Sequence, residues 1–199
     1  MPRRRRWGLG RVGWLLAVLV LASGCSSTRK DRGPKPRSEI VVSVADQRRG
    51  IYDKDGKMVR AFDISTSKFG LGDTPGSYRT PLGLHRVAAK IGCNAPVGAV
   101  FKSRRMTGEV LPPDAPGRDP IVTRILWLQG LETQNRNAYQ RYIYIHGTAE
   151  ERNIGKPVSY GCVRMRSVDV VELYNVVPVG AKVRIIEGSL RGREPRRRG

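Results

Sequence analysis

The amino-acid sequence predicts a mainly β domain, an antiparallel sandwich or barrel carrying one short helix. Three features support that expectation: apolar residues alternate within short runs, Gly, Pro and Asp clusters separate the runs, and a single segment bears helix signals. Ile40, Val42 and Val44 share one face of an opening strand, and Ile51-Tyr52 and Met58 to Ile64 flank the turn Lys54-Asp55-Gly56-Lys57. Asp-Gly suits a hairpin there because both central turn positions favour positive φ. Breakers at Gly70 to Gly76 and at Thr80-Pro81-Leu82-Gly83 precede a strand from Leu84 to Val87. Pro112, Pro113, Pro116 and Pro120 mark a long loop before Ile121 to Leu128, and strands return at Tyr142 to Ile145, Val163 to Met165 and Val183 to Ile186. The helix is expected from Ser167 as N-cap and Asp169 in the first turn, followed by Val170, Val171, Leu173 and Tyr174 before Pro178.

Charge divides the chain. Lys and Arg total 37 against 17 Asp and Glu, a net +20, yet residues 38–190 account for only +7 of it. The hydrophobic content of 39% excludes wholesale disorder, and residues 39–187 form the expected globular domain. Ahead of it, Arg3 to Arg6 and Arg11 precede an uncharged apolar run from Val12 to Ala22. At ~1.5 Å per residue that run cannot cross a ~30 Å hydrocarbon layer, so residues 1–24 read as a secretory signal. Leu21-Ala22-Ser23-Gly24-Cys25 resembles the bacterial lipobox, which makes Cys25 the expected lipidated first residue of the mature chain. Residues 25–38, with Pro34 and Pro36, then form a flexible tether, and residues 188–199 a basic, disordered tail. The expected location is the periplasm or cell envelope, with a lipid anchor to a membrane through Cys25. An exported chain meets little nucleic acid, so the basic ends point to the anionic envelope instead.

With Cys25 lipidated, Cys93 and Cys162 remain, too few for a disulfide scaffold. Cys93, in Ile91-Gly92-Cys93-Asn94, reads as an inert loop or strand-end cysteine rather than one half of a bridge to Cys162. The chain has two histidines, His85 and His146, and His85 suits structural packing as well as substrate contact. His146 precedes Cys162 by 16 residues. Strand alternation puts Tyr142, Tyr144 and His146 on one face and Ile143 and Ile145 on the other; Cys162 and Arg164 likewise oppose Val163 and Met165. If the apolar sets face the core, imidazole and thiol emerge into a common groove. A paired imidazolium would then hold the cysteine as thiolate, the nucleophilic form. Gly161, lacking Cβ, would let a substrate backbone approach, and amides around Gly161 and Cys162 could receive an oxyanion. The Gly147 carbonyl could fix the imidazole tautomer. Arg164 could orient either the loop or a substrate carboxylate.

His146-Gly147-Thr148 together with Ser159-Tyr160-Gly161-Cys162-Val163-Arg164-Met165 resembles the signature of the L,D-transpeptidase catalytic domain (YkuD-like). Thr80-Pro81-Leu82-Gly83 and Ser65-Thr66 fit the same family, in consistent order over roughly residues 39–186. The resemblance implies a β-sandwich-like or barrel fold with one short helix after the catalytic cysteine, and peptidoglycan stem peptides as substrate. It makes Cys162 the nucleophile and His146 the proton donor and acceptor. Gly147, Ser159, Tyr160, Gly161 and Arg164 are the candidates for oxyanion and substrate positioning. Cys162 would attack the amide between the third residue and D-Ala of a stem tetrapeptide, release D-Ala, and pass the acyl group to an amine. A diamino acid of another stem gives a 3→3 crosslink; a lysine of an envelope protein gives wall attachment. Tyr160 departs from the family, where many members carry histidine, and that departure bears on pH dependence or acceptor preference. No metal or organic cofactor is expected, since the histidines and cysteines offer no regular zinc spacing.

Two alternatives use the same residues differently. Water as acceptor would make the site an L,D-carboxypeptidase or endopeptidase, and a protein without catalysis would be a wall-binding lipoprotein. Papain-like and NlpC-type peptidases place cysteine before histidine, the reverse of this order. Sortases share the order but have a longer interval and lack the Gly-Cys-Val-Arg-Met string.

Overall fold

The computed structural model describes residues 39–53 and 55–192, so the expected signal, lipobox and tether lie outside the described residues. Strands β1 (Glu39–Ser43), β2 (Arg48–Tyr52) and β3 (Met58–Asp63) form a meander, with the Asp55-Gly56 turn joining the last two as expected. β4 (Gly83–Ile91), β5 (Ala99–Lys102), β6 (Arg105–Val110) and β7 (Ile121–Gly130) follow, then β8 (Tyr144–Thr148), β9 (Val163–Met165), helix α1 (Ser167–Val176) and β10 (Lys182–Ile186). All ten strands belong to one hydrogen-bonded sheet, ordered β3-β2-β1-β10-β4-β7-β5-β6, with β8 on β7 and β9 on β8.

Two pairings depart from a purely antiparallel expectation: β1–β10 and β8–β9 are parallel. Parallel neighbours need a crossover rather than a tight turn. Fourteen residues, 149–162, supply it between β8 and β9. The β5–β6 hairpin also escaped sequence reading. Its turn, Ser103-Arg104, has no glycine, and β6 is almost wholly exposed, so it shows no apolar alternation.

The main core joins the helix to the sheet. Val170, Leu173 and Tyr174 of α1 pack with Ile143, Ile145, Val163 and Met165, the apolar faces anticipated for the two site strands. Each such side chain, fully buried, stabilises the fold by about 1.5–3 kcal/mol. Helix α1 starts one residue earlier than expected, with Arg166 at the N-cap and Ser167 inside; the Glu151 carboxylate accepts the Ser167 N–H at 2.7 Å. An acidic group at that end satisfies an otherwise orphaned donor and complements the helix dipole. Residues 188–191, expected in the tail, are part of the fold. Leu190 is buried against Val41 and Tyr52, and its N–H donates to Asp46 at 2.7 Å.

Candidate active site

β7 prepares the site. Its register shifts between Val122 and Ile125, and Thr123 within the bulge has φ 71° while fully buried. That conformation is an outlier for a β-branched residue and costs about 1–3 kcal/mol. Surrounding bonds hold it: Thr123 Oγ1 accepts the Gly98 N–H and donates to Ser167 Oγ, both at 2.9 Å. The bulge presses the Val122 carbonyl against β8, where a Cβ on Gly147 would stand 2.7 Å from it. Glycine at position 147 therefore lets β8 close on β7 beside His146.

His146 is buried, with Nδ1 2.8 Å from the Gly147 carbonyl oxygen. A carbonyl can only accept, so Nδ1 carries the proton and Nε2 keeps the lone pair that a general base needs. Behind it, Arg164 pairs with Asp119 at 2.6 Å and lies 3.9 Å from Glu150, while Thr148 Oγ1 donates to Asp119. Of the two roles open to Arg164, these contacts are those of a residue orienting its own loop.

The parallel register sets His146 opposite Arg164 and Ile145 opposite Val163, which puts Cys162 level with Tyr144. Thiol and imidazole are thus two positions apart on adjacent strands, roughly 8 Å between Cα atoms given strand spacing and rise. Cys162 is a free, partly exposed thiol. Cys93 lies in the exposed turn after β4 and is not bonded to it. The Cys162 thiol donates to the Tyr142 carbonyl at 3.4 Å and accepts the Tyr144 N–H at 3.4 Å.

The thiolate–imidazolium pair expected from the sequence is not the resting state. Burial pushes the Cys162 thiol up to about 11, against the smaller opposing pull of the Tyr144 N–H, Arg164 and Arg141. Burial likewise holds His146 down to about 4, with the Gly147 carbonyl and Asp119 opposing and the Arg164 charge reinforcing the shift. Both groups are neutral at pH 7. Packing explains this, because Cys162 packs against the apolar cluster that holds Phe101, Ile125 and Tyr144, where an ion loses its hydration. Iodoacetamide labelling of Cys162 should therefore accelerate about tenfold per pH unit from pH 7 to pH 10, following the thiolate fraction. A rate already level below pH 8 would contradict a neutral pair.

The Ser159–Cys162 turn is fixed from within. Ser159 Oγ donates to the Cys162 carbonyl at 2.6 Å and accepts the Gly161 N–H at 3.2 Å, so that amide is engaged rather than open to an oxyanion as anticipated. Gly161 has φ 118°, and a Cβ there would meet the Arg79 carbonyl at 3.3 Å. Its freedom serves the close approach of the protein's own loop, where substrate had been expected. Thr80, in the Thr-Pro-Leu-Gly turn, donates to the Gly161 carbonyl at 3.0 Å. Ser65 exchanges backbone hydrogen bonds with Arg164 at 2.8 and 2.9 Å and so borders the outer edge of β9. His85 is fully buried in β4 with Nδ1 3.0 Å from the Gly83 carbonyl, a packing residue.

Several site residues carried no sequence signal. Asp73 and Arg141 form a buried ion pair at 2.9 Å, and Arg141 also donates to the Gly72 and Arg79 carbonyls. The pair ties residues 72–79 to Tyr142, whose carbonyl meets the thiol. Exposed Phe69, Tyr78 and Tyr160 form a ring cluster with centroids 5.5–5.8 Å apart, with Lys68 Nζ 4.4 Å from the Tyr160 ring centroid. Trp127, Tyr139, Tyr142 and Tyr144 form a second cluster. Two residues before the cysteine, Tyr160 thus belongs to an exposed aromatic cluster.

The model of the L,D-transpeptidase catalytic domain (YkuD) matches residues 37–185. The Escherichia coli K12 protein named Probable L,D-transpeptidase ErfK/SrfK is 31% identical over 153 residues, covering 76% of this chain and 44% of that protein. Probable L,D-transpeptidase YbiS of the same strain is 31% identical over 150 residues, covering 74% and 44%. This chain thus spans less than half the length of these relatives. The fold is similar to that of an L,D-transpeptidase from Mycobacterium smegmatis, with a TM-score of 0.50 at 14% identity over 76% of this chain and 59% of that one. With the family model covering nearly all of the sheet and the His146 and Cys162 strands, the chain belongs to the YkuD family of L,D-transpeptidase catalytic domains.

Proposed function

We propose that this protein is a peptidoglycan L,D-transpeptidase whose nucleophile is Cys162. The observation that carries the reading is a free, partly exposed thiol on the strand beside that of a histidine whose Nδ1 is committed to a carbonyl. Cys162 Sγ attacks the carbonyl carbon between the third residue and D-Ala of a stem tetrapeptide. The thiol proton passes to His146 Nε2 as the C–S bond forms, then to the departing nitrogen as the C–N bond breaks. D-Ala leaves and a thioester remains. An amine then attacks the thioester, gives its proton to His146, and the returning thiolate is reprotonated. A neutral starting pair suits this sequence, because the base is unprotonated and the thiol gives up its proton only as substrate engages. The Cys162 amide is the remaining backbone donor from the sequence-derived oxyanion set. Tyr160 contributes through its aromatic cluster, toward the donor or acceptor peptide.

The acceptor is the amine of another stem's diamino acid, or a lysine of an envelope protein. Cys25 carries lipid and holds the enzyme at a membrane in the envelope, in keeping with the lipobox-like string. Incubation with a purified stem tetrapeptide should add to Cys162 the mass of the tripeptide acyl group, with release of D-Ala. Folded, reduced protein that gains no mass would overturn the proposal. Metabolic labelling with a fatty-acid analogue should mark the wild type and not Cys25→Ser; equal labelling removes the anchor.

A further inference from the structure

We infer that Arg104 is a carboxylate clamp that selects acyl donors ending one residue beyond the scissile amide. The inference rests on the stem-peptide reading above and assigns a specificity residue to it. Arg104 sits at the tip of the β5–β6 hairpin, where the two turn residues Ser103 and Arg104 have φ 49° and 67°. Such turns normally take Asn-Gly, so the hairpin tolerates backbone strain to hold an arginine there. The guanidinium lies 5.0 Å from the Trp127 ring centroid and 5.1 Å from that of Tyr142, and the nearby Tyr144 and Tyr142 side chains favour its charged form. Trp127 packs on the same Phe101, Ile125 and Tyr144 cluster as Cys162, and the Tyr142 carbonyl and Tyr144 N–H flank the sulfur at 3.4 Å.

No acidic side chain among the described residues lies within ion-pair distance of Arg104. It is therefore a planar, pre-oriented cation on the aromatic cluster that borders the nucleophile, with no counter-charge from the described residues. A C-terminal residue that leaves on acylation offers the missing group: its free carboxylate lies about one residue, ~3.8 Å, past the attacked carbonyl. An arginine fork takes that group in two parallel hydrogen bonds. Lys68, stacked on Tyr160 across the site, is the competing cation.

The test measures binding rather than turnover. Calorimetry on Cys162→Ala protein compares a stem tetrapeptide with a free C-terminus against the same peptide as its C-terminal amide. The acid should bind at least about tenfold more tightly, the scale of one charge-assisted pair. Adding Arg104→Gln should bring the two within about twofold, whereas adding Lys68→Ala should preserve the preference. Arg104→Lys, which keeps the charge without the fork, should lose at least about threefold and serves if the glutamine variant does not fold. Equal binding of acid and amide by Cys162→Ala protein overturns the clamp alone, as does a preference that survives Arg104→Gln or vanishes with Lys68→Ala. If folded protein binds neither peptide, the stem-peptide reading falls and the clamp with it.

Discussion

Replacing Cys162 with alanine is expected to lower turnover of a stem tetrapeptide by about 10⁴- to 10⁶-fold, the loss seen when a covalent nucleophile is removed. The fold should survive, because the residue is partly exposed, and its carbonyl is held by Ser159 and the preceding Gly161 carbonyl by Thr80 rather than by sulfur. A melting temperature within a few degrees of wild type, with release of D-Ala abolished, is the expected pairing. Residual turnover within tenfold of wild type would remove Cys162 from the chemistry. His146→Ala should cost less, about 10²–10⁴, since hydroxide can replace a general base. Its residual activity should rise with pH through pH 9, because an unassisted thiol pushed up to about 11 must ionise by itself. A wild-type-like pH profile in that variant would argue that another group removes the proton.

The second large effect is on stability and reaches the site through a loop. Asp73→Ala leaves Arg141 buried without its counter-charge and should destabilise the protein by about 3–5 kcal/mol in urea titration. It also removes the acceptor for the Asn137 N–H, 2.6 Å from Asp73. Residues 72–79 then lose their tie to Tyr142, and the tetrapeptide reaction should slow along with the loss of stability. Replacing both partners with apolar residues, Asp73→Leu with Arg141→Met, should be milder than either single change, because neither charge is left unpaired. If Asp73→Ala costs under about 1 kcal/mol, the pair is not the fastening described.

The neutral thiol has its cause in packing, as the engaged Gly161 amide has its cause in the local Ser159 hydroxyl. Alternation correctly assigned His146 and Cys162 to faces opposite the core, but a face away from one core can lie against another. Here Phe101 and Ala99 of the β5 strand, Ile125 and Tyr144 cover it. Sequence reading of that face as an open groove missed the cover because the β5–β6 hairpin has no glycine turn or apolar period to announce it. Arg141 and Asp73 were equally silent, since an ion pair between residues 68 apart exists only once the chain folds back.

What the sequence alone determined is local. The alternating faces of the site strands, the Asp-Gly hairpin, the helix with Asp169 near its start and the nucleophile motif all follow from residue type and spacing. They need no knowledge of distant neighbours. What only the tertiary structure decided is which strands lie side by side and how dry the site becomes. The parallel pairing of β8 with β9 puts Cys162 level with Tyr144, and the burial that follows sets both protonation states. Hydration is a property of everything packed around a group, so a charge state read from two neighbours in a motif changes when the rest of the chain excludes water.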